Sequence, residues 1–149
     1  MSNDTQVIQP EAIKFFEQLQ ILSIALGALP ILETIIKYGL SSFFTVSHVL
    51  FYFFIAILII TLVFFISEKA SNVAKWIIII WSVLGALLYI PITFVKLANR
   101  LFGFGDIIGT IQTAIILYSI YLLFTPESRA WFAAPRPQQT PESTQQNAP

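Results

Sequence analysis

The stretch VLFYFFIAILIITLVFFI, Val49 to Ile66, constrains this chain more than any other feature. It runs for 18 residues with Tyr52 and Thr61 as its only polar members. Coiled as an α-helix it reaches about 27 Å, close to the thickness of a bilayer's hydrocarbon layer. It is apolar around its whole circumference, so it has no face suited to water. Its β-branched and aromatic residues favour strands in water. Within lipid, however, each segment must satisfy its own backbone N–H and C=O groups, and a helix does so. Composition agrees with this reading. The chain is 56% hydrophobic and 11% charged, against roughly 25% charged in soluble domains.

Three further runs follow the same logic. Trp76 to Val95 gives 20 residues interrupted mainly by Ser82 and Thr93, with Asn72 and Lys75 before it and Lys96, Asn99 and Arg100 after it. Trp76 and Phe94 suit the two interfaces, and Pro91 removes one backbone donor near the exit. Ile107 to Phe124 begins after GFGD, with Asp106 as the candidate N-cap at the positive helix end. This run is the most polar, and Gly109 with Thr113, and Thr110 with Ala114, repeat small residues four apart. Such spacing lets helices approach closely, so it is the run expected to pack most against its neighbours. The first run is the shortest in its strict apolar core, Ile21 to Leu32, but reaches 18 residues when counted from Leu19 to Ile36. Its helix is expected to begin nearer Pro10 and Glu11, because proline suits a first turn. The alternative is a segment hinged or re-entrant at Pro30.

Spans are therefore expected at about 19–37, 48–66, 75–95 and 107–124. The apolar runs themselves are linked by about 12, 9 and 11 residues, which favours antiparallel neighbours. The expected fold is an all-α integral membrane protein, an up-down bundle of four transmembrane helices. A polar segment, 1–12, precedes the transmembrane domain, 13–132. The remainder, 133–149, has four prolines, four glutamines and no large apolar residue, and such a composition predicts a disordered tail. Four spans put both termini on one side. That side holds Lys14, Lys69, Lys75, Arg129 and Arg136, and the other holds Lys37, Lys96 and Arg100. The excess favours cytoplasmic termini by the positive-inside rule.

Several chemistries are disfavoured at once. The chain has no cysteine, which removes disulfides, thiolate metal sites and cysteine nucleophiles. Formal net charge is zero with no basic stripe, so nucleic acid is not an expected partner. The start, MSNDTQVIQPE, carries two acids and no base, unlike the positive start of a signal peptide. No serine sits in a G-x-S-x-G context, and GFGD lacks both the P-loop lysine and the dinucleotide glycine spacing. No cofactor is expected. His48 is the single histidine and reads as a residue at the entry to the second span.

An ionisable residue within a span is a functional candidate by default. Glu33 is that candidate, a carboxylate able to hold a cation or proton. The structural reading competes with it, because Lys37 follows four residues later in the favourable order for a helical ion pair. Gln112 is the second candidate, for substrate contact or for an interhelical hydrogen bond. The closing stretch LLFTPESRAWF, Leu122 to Phe132, reads as a stop, a cap and an anchor. Pro126 ends the span, and Thr125, Pro126 and Glu127 restart a short helix as N-cap, first residue and first-turn acid. In that segment, 125–132, Arg129, Trp131 and Phe132 form the expected interfacial anchor. TPES recurs at Thr140 to Ser143 without apolar flanks, and disorder is expected there.

SNVAKWIIIIW, Ser71 to Trp81, resembles the N-x-A-[RK]-W entry to the third helix of small bacterial four-helix membrane proteins of uncharacterised function. LLFTPESRAWF resembles the end of their fourth helix, and LQILSIALGAL fits their first. The resemblance implies a location in the bacterial inner membrane and carries over no catalytic residue. A structural, accessory or partner-binding membrane protein is the favoured function, with lipid and other membrane proteins or a second copy as partners. The alternative is an oligomeric small-molecule or ion transporter subunit using Glu33. Small multidrug-resistance transporters also have four helices and a single acid in the first. Here the acid lies near the end of its span with Lys37 in reach, a departure from that pattern. A membrane enzyme ranks lowest.

Overall fold

The computed structural model describes residues 9–39 and 43–134. Among the described residues five helices are found: α1 Glu11–Tyr38, α2 Phe43–Ser67, α3 Asn72–Ala98, α4 Phe104–Leu122 and the short α5 Pro126–Ala133. The first four are long and apolar enough to cross a membrane. Of the expected tail, 133–149, Ala133 is the last residue of α5; residues 135–149, including the second TPES, and the start before residue 9 lie outside the described residues.

Each expected span lies within or close to one helix, and the helices overrun the apolar runs. α1 starts at Glu11 behind Pro10, which holds extended geometry with φ −61° and ψ 149°. It continues through Pro30 to Tyr38 as one helix, so no re-entrant break forms there. α3 likewise continues through Pro91. Ser71 caps α3 by accepting from the Ala74 N–H at 3.2 Å.

The start of α4 differs from expectation. Asp106 is not the N-cap; Gly103 is, with Asp106 in the first turn three residues on. The Asp106 carboxylate reaches back to accept from the Gly103 N–H at 3.0 Å. An acid at this third position satisfies an orphan donor at the helix start as well as an N-cap does, and it also meets the positive helix end.

α1 lies between α2 and α4 and packs most extensively against α4. α2 meets α3, and α3 meets α4 most sparsely, which closes a four-helix ring. Neighbours run antiparallel. Along α1 and α4, Phe15 meets Tyr118, Gln20 meets Ser119, Gln112 reaches Ser23, and Gly105 lies by Pro30 and Glu33. Lys75 and Trp76 at the start of α3 meet Phe124, while Lys96 at its end meets Asp106.

The tightest apolar core sits at one end of the bundle. Ile13 and Phe16 of α1, Val63 and Ile66 of α2, Ile78 and Ile79 of α3 and Leu123 beyond α4 are its main members. α5 folds back onto that end. Thr125 accepts from the Ser128 N–H at 3.4 Å, and the buried Ser128 hydroxyl donates to the Leu122 carbonyl at 2.6 Å. Trp131 and Phe132 pack against the core cluster, and the Trp131 indole N–H faces the Ile66 carbonyl at 3.5 Å. The proline ends α4, and the Thr–Ser pair ties the next helix to the carbonyls that α4 leaves open.

Candidate functional site

The side-chain hydrogen bonds that join the long helices to one another gather in two places. The first is a seam along α1. Gln20 is buried and donates its amide to Ser119 Oγ at 2.7 Å; Ser119 in turn donates to the Ile116 carbonyl at 2.7 Å. About two turns back along α4, Gln112 donates to the Ser23 carbonyl at 3.0 Å. From α2, the Tyr52 hydroxyl donates to the Ile24 carbonyl. Gly27 makes room for both of these side chains. A Cβ there would lie 2.9 Å from Gln112 Nε2 and 3.2 Å from Tyr52 Cε2. Thus three helices meet at a glycine, and the polar groups brought to it are spent on backbone carbonyls and on each other.

The second place is the far end of the bundle, where α3 ends and α4 begins. The Tyr89 hydroxyl donates to the Asp106 carbonyl at 2.8 Å, and the Lys96 ammonium donates to Asp106 Oδ1 at 2.7 Å. Gly109 is the gap into which the Tyr89 ring fits; a Cβ there would lie 2.9 Å from Tyr89 Cζ. The small residue therefore admits an aromatic side chain instead of a second helix backbone. Glu33 belongs to the same end. It pairs with Lys37 at 2.5 Å, with the acid 32% exposed and the lysine 59% exposed. Gly105 is nearby, its Cβ direction 4.0 Å from Glu33 Oε2.

The two span candidates, Glu33 and Gln112, are not brought together: Glu33 is paired along its own helix, and Gln112 is bonded across to α1. Of the three anchor residues, Arg129 is exposed, while Trp131 and Phe132 are half-buried against the core.

Lys75 stands just before the apolar run of the third span, at its expected edge, yet it is buried in the first turn of α3, with 7% exposure. Its ammonium lies 4.4 Å from the centre of the Phe132 ring and 5.1 Å from that of Phe124. Two ring faces give a cation a favourable setting where its water is removed. Phe124 ends the fourth run and Phe132 follows it, but only the packing of α3 beside α4 and the fold-back of α5 bring both rings to Lys75. Ser119, Tyr52 and Tyr89 were also not singled out. Each lies in an apolar run, and its partner is at least 17 residues away or on a backbone carbonyl.

Among the described residues no group of three or more His, Asp and Glu side chains is gathered as a metal site. A cleft lies elsewhere, between α1 and α2, lined by Glu17, Gln20, Ser67 and Glu68 with apolar neighbours. Compared with models of known protein families, with curated proteins and with solved structures, the chain matches none.

Proposed function

We propose that the chain is a polytopic integral membrane protein with a structural, accessory or partner-binding role. The observation that carries the membrane part is the outer surface of α2 and α3. Leu50, Phe51 and Ile57 are each 64% exposed, Phe54 is 65%, and Ile80 and Leu87 are each 64%. Water-soluble monomers rarely leave contiguous apolar patches larger than roughly 300–600 Å². Lipid is the solvent that accepts side chains of this kind along helices of this length. Fractionation tests it: the chain stays in the pellet after alkaline carbonate extraction and is released by detergent. Recovery in the carbonate supernatant would sink the reading.

The accessory role rests on how the internal polar groups are used. Gln20, Ser119, Gln112, Tyr52 and Tyr89 join helices to one another, and Glu33 has a helical ion-pair partner. Groups committed in this way hold a bundle together. The transporter alternative using Glu33 has no observation in its favour beyond the acid itself. The lysine and arginine bias favours cytoplasmic termini, and the resemblance supports a bacterial inner membrane as the location. Affinity purification of the full chain from native membranes in mild detergent tests the role. Recovery as a bare monomer counts against it.

A further inference from the structure

We infer that the cleft between α1 and α2 binds a primary ammonium group carried on an apolar chain. This rests on the membrane reading above, because the cleft then lies at the interface beside the termini. Glu17 is on the second turn of α1 and Glu68 directly follows α2, so both carboxylates stand at the same end of the antiparallel pair. The cleft holds about 160 Å³, roughly the volume that takes up one benzene-sized molecule and well below a drug-sized site.

The lining is one-sided in its chemistry. Its polar members are Glu17, Gln20, Ser67 and Glu68, and it contains no lysine, arginine or histidine. Neither glutamate forms an ion pair among the described residues, where the salt bridges are Lys37–Glu33 and Lys96–Asp106. Gln20 has donated its amide nitrogen to Ser119, so its carbonyl oxygen is left to accept. The strongest sign is Ser67. It is 3% exposed, it lines the cleft, and its Oγ has no hydrogen-bond partner. A helical serine ordinarily returns its hydroxyl to a carbonyl one turn back, and an unmet buried hydroxyl is costly. Two carboxylates, an amide oxygen and an unmet hydroxyl, which can both donate and accept, give a lining richer in acceptors than in donors.

A primary ammonium offers three N–H donors and one positive charge, which answers that set. A quaternary ammonium has the charge but no N–H, so Ser67 and Gln20 discriminate between the two. The remaining lining, Ile21, Ile24, Ile60, Val63 and Phe64, continues along the two helices toward mid-span and suits a hydrocarbon stem. Two sources supply this chemistry: an aminophospholipid headgroup and a free lipophilic amine.

Native mass spectrometry of the full chain in mild detergent tests the inference. The probes are phosphatidylethanolamine, phosphatidylcholine and phosphatidylglycerol with matched acyl chains, and dodecylamine against dodecanol. Phosphatidylethanolamine is expected to be retained over phosphatidylcholine, and the preference is expected to fall about tenfold in Glu17→Gln with Glu68→Gln. Ser67→Val is expected to weaken the preference while both charges remain, and circular dichroism with thermal unfolding confirms that each variant is folded. Retention of dodecylamine, lost in the same variants, without retention of phosphatidylethanolamine assigns the site to a free amine. Equal retention of all three lipids together with no selective dodecylamine binding overturns the inference, as does a preference that survives the double substitution. Failure of carbonate fractionation would instead remove the membrane reading.

Discussion

The contact of α1 with α4 and the outer half of α3 are built from similar apolar letters but hold differently. Between α1 and α4, Gln20, Ser119, Ser23 and Gln112 make bonds across the contact, and Gly27 allows the close approach. Along α3 beyond Ala86, Leu87, Leu88, Ile92, Phe94, Val95 and Leu97 are all exposed. That half of α3 is held to α4 chiefly by Tyr89 and Lys96, both acting on Asp106. Gly85 marks the difference from the other side, because a Cβ there would meet nothing within 4 Å. The comparison teaches that apolar surface does not choose helix partners when the solvent is itself apolar. Small residues and hydrogen bonds choose them.

The largest expected effect comes from closing the α1 gap. Gly27→Leu drives a side chain into Gln112 and Tyr52, and overpacking of this kind costs about 1–3 kcal/mol. Gly85→Leu enters open space and is expected to stay within about 0.5 kcal/mol of the parent, as surface changes do. Thermal unfolding of both variants in the same detergent measures the contrast. Equal losses would break the comparison, since they would mean that Gly85 faces a packed surface.

Next is the one anchor of outer α3. Asp106→Ala removes the acceptor of the Gly103 N–H and the partner of Lys96. Loss of such a helix-start bond costs about 0.5–2 kcal/mol. The ion pair adds less, because Lys96 is 45% exposed. The loss should be local, so hydrogen exchange should rise from Tyr89 to Ala98 while the α1 seam keeps its protection. Uniform exchange across all helices would show that the two regions unfold as one.

Gln112→Leu probes the seam itself. It removes the bond to the Ser23 carbonyl, and interhelical bonds in bilayers are worth about 0.6 kcal/mol on average and up to about 2. The loss should be additive with Asp106→Ala, which lies at a separate contact. Strong coupling between them, read from a double-substitution cycle, would sharpen the picture by showing that α4 transmits between its two neighbours.

Much of this organisation was legible from residue order, and for a definite reason. Lipid removes the alternatives to a helix, so apolar length alone located four elements, and the short links oriented them. Gln112 was readable because an amide in an apolar run must find a partner, although the partner itself was not. The start of α4 was placed late because Asp106 satisfies the same orphan donors from the third position as from the cap. Lys75 could not be read, since a lysine beside a span resembles a snorkelling residue until α3 folds onto Phe124 and Phe132. The Glu17–Ser67–Glu68 cleft was invisible for the same reason: its members come from the start of one helix and the end of the next.

Glu33→Gln is expected to have the smallest effect, and it tests whether the far end of α1 is an ordinary surface. The pair with Lys37 spans one helical turn, with both groups reaching solvent. Such pairs contribute about 0.2–0.5 kcal/mol, and exposure of the lysine lowers that further. Unfolding of the variant should therefore differ little from that of the parent. The same variant separates structure from transport. In cells challenged with cationic drugs, a carboxylate that carries the cargo cannot be replaced by an amide without loss of resistance, whereas an exposed helical pair can. Unchanged stability with unchanged tolerance leaves Glu33 as a surface pair. Unchanged stability with lost tolerance would place a functional centre at the end of α1 and would make the transporter reading the better one.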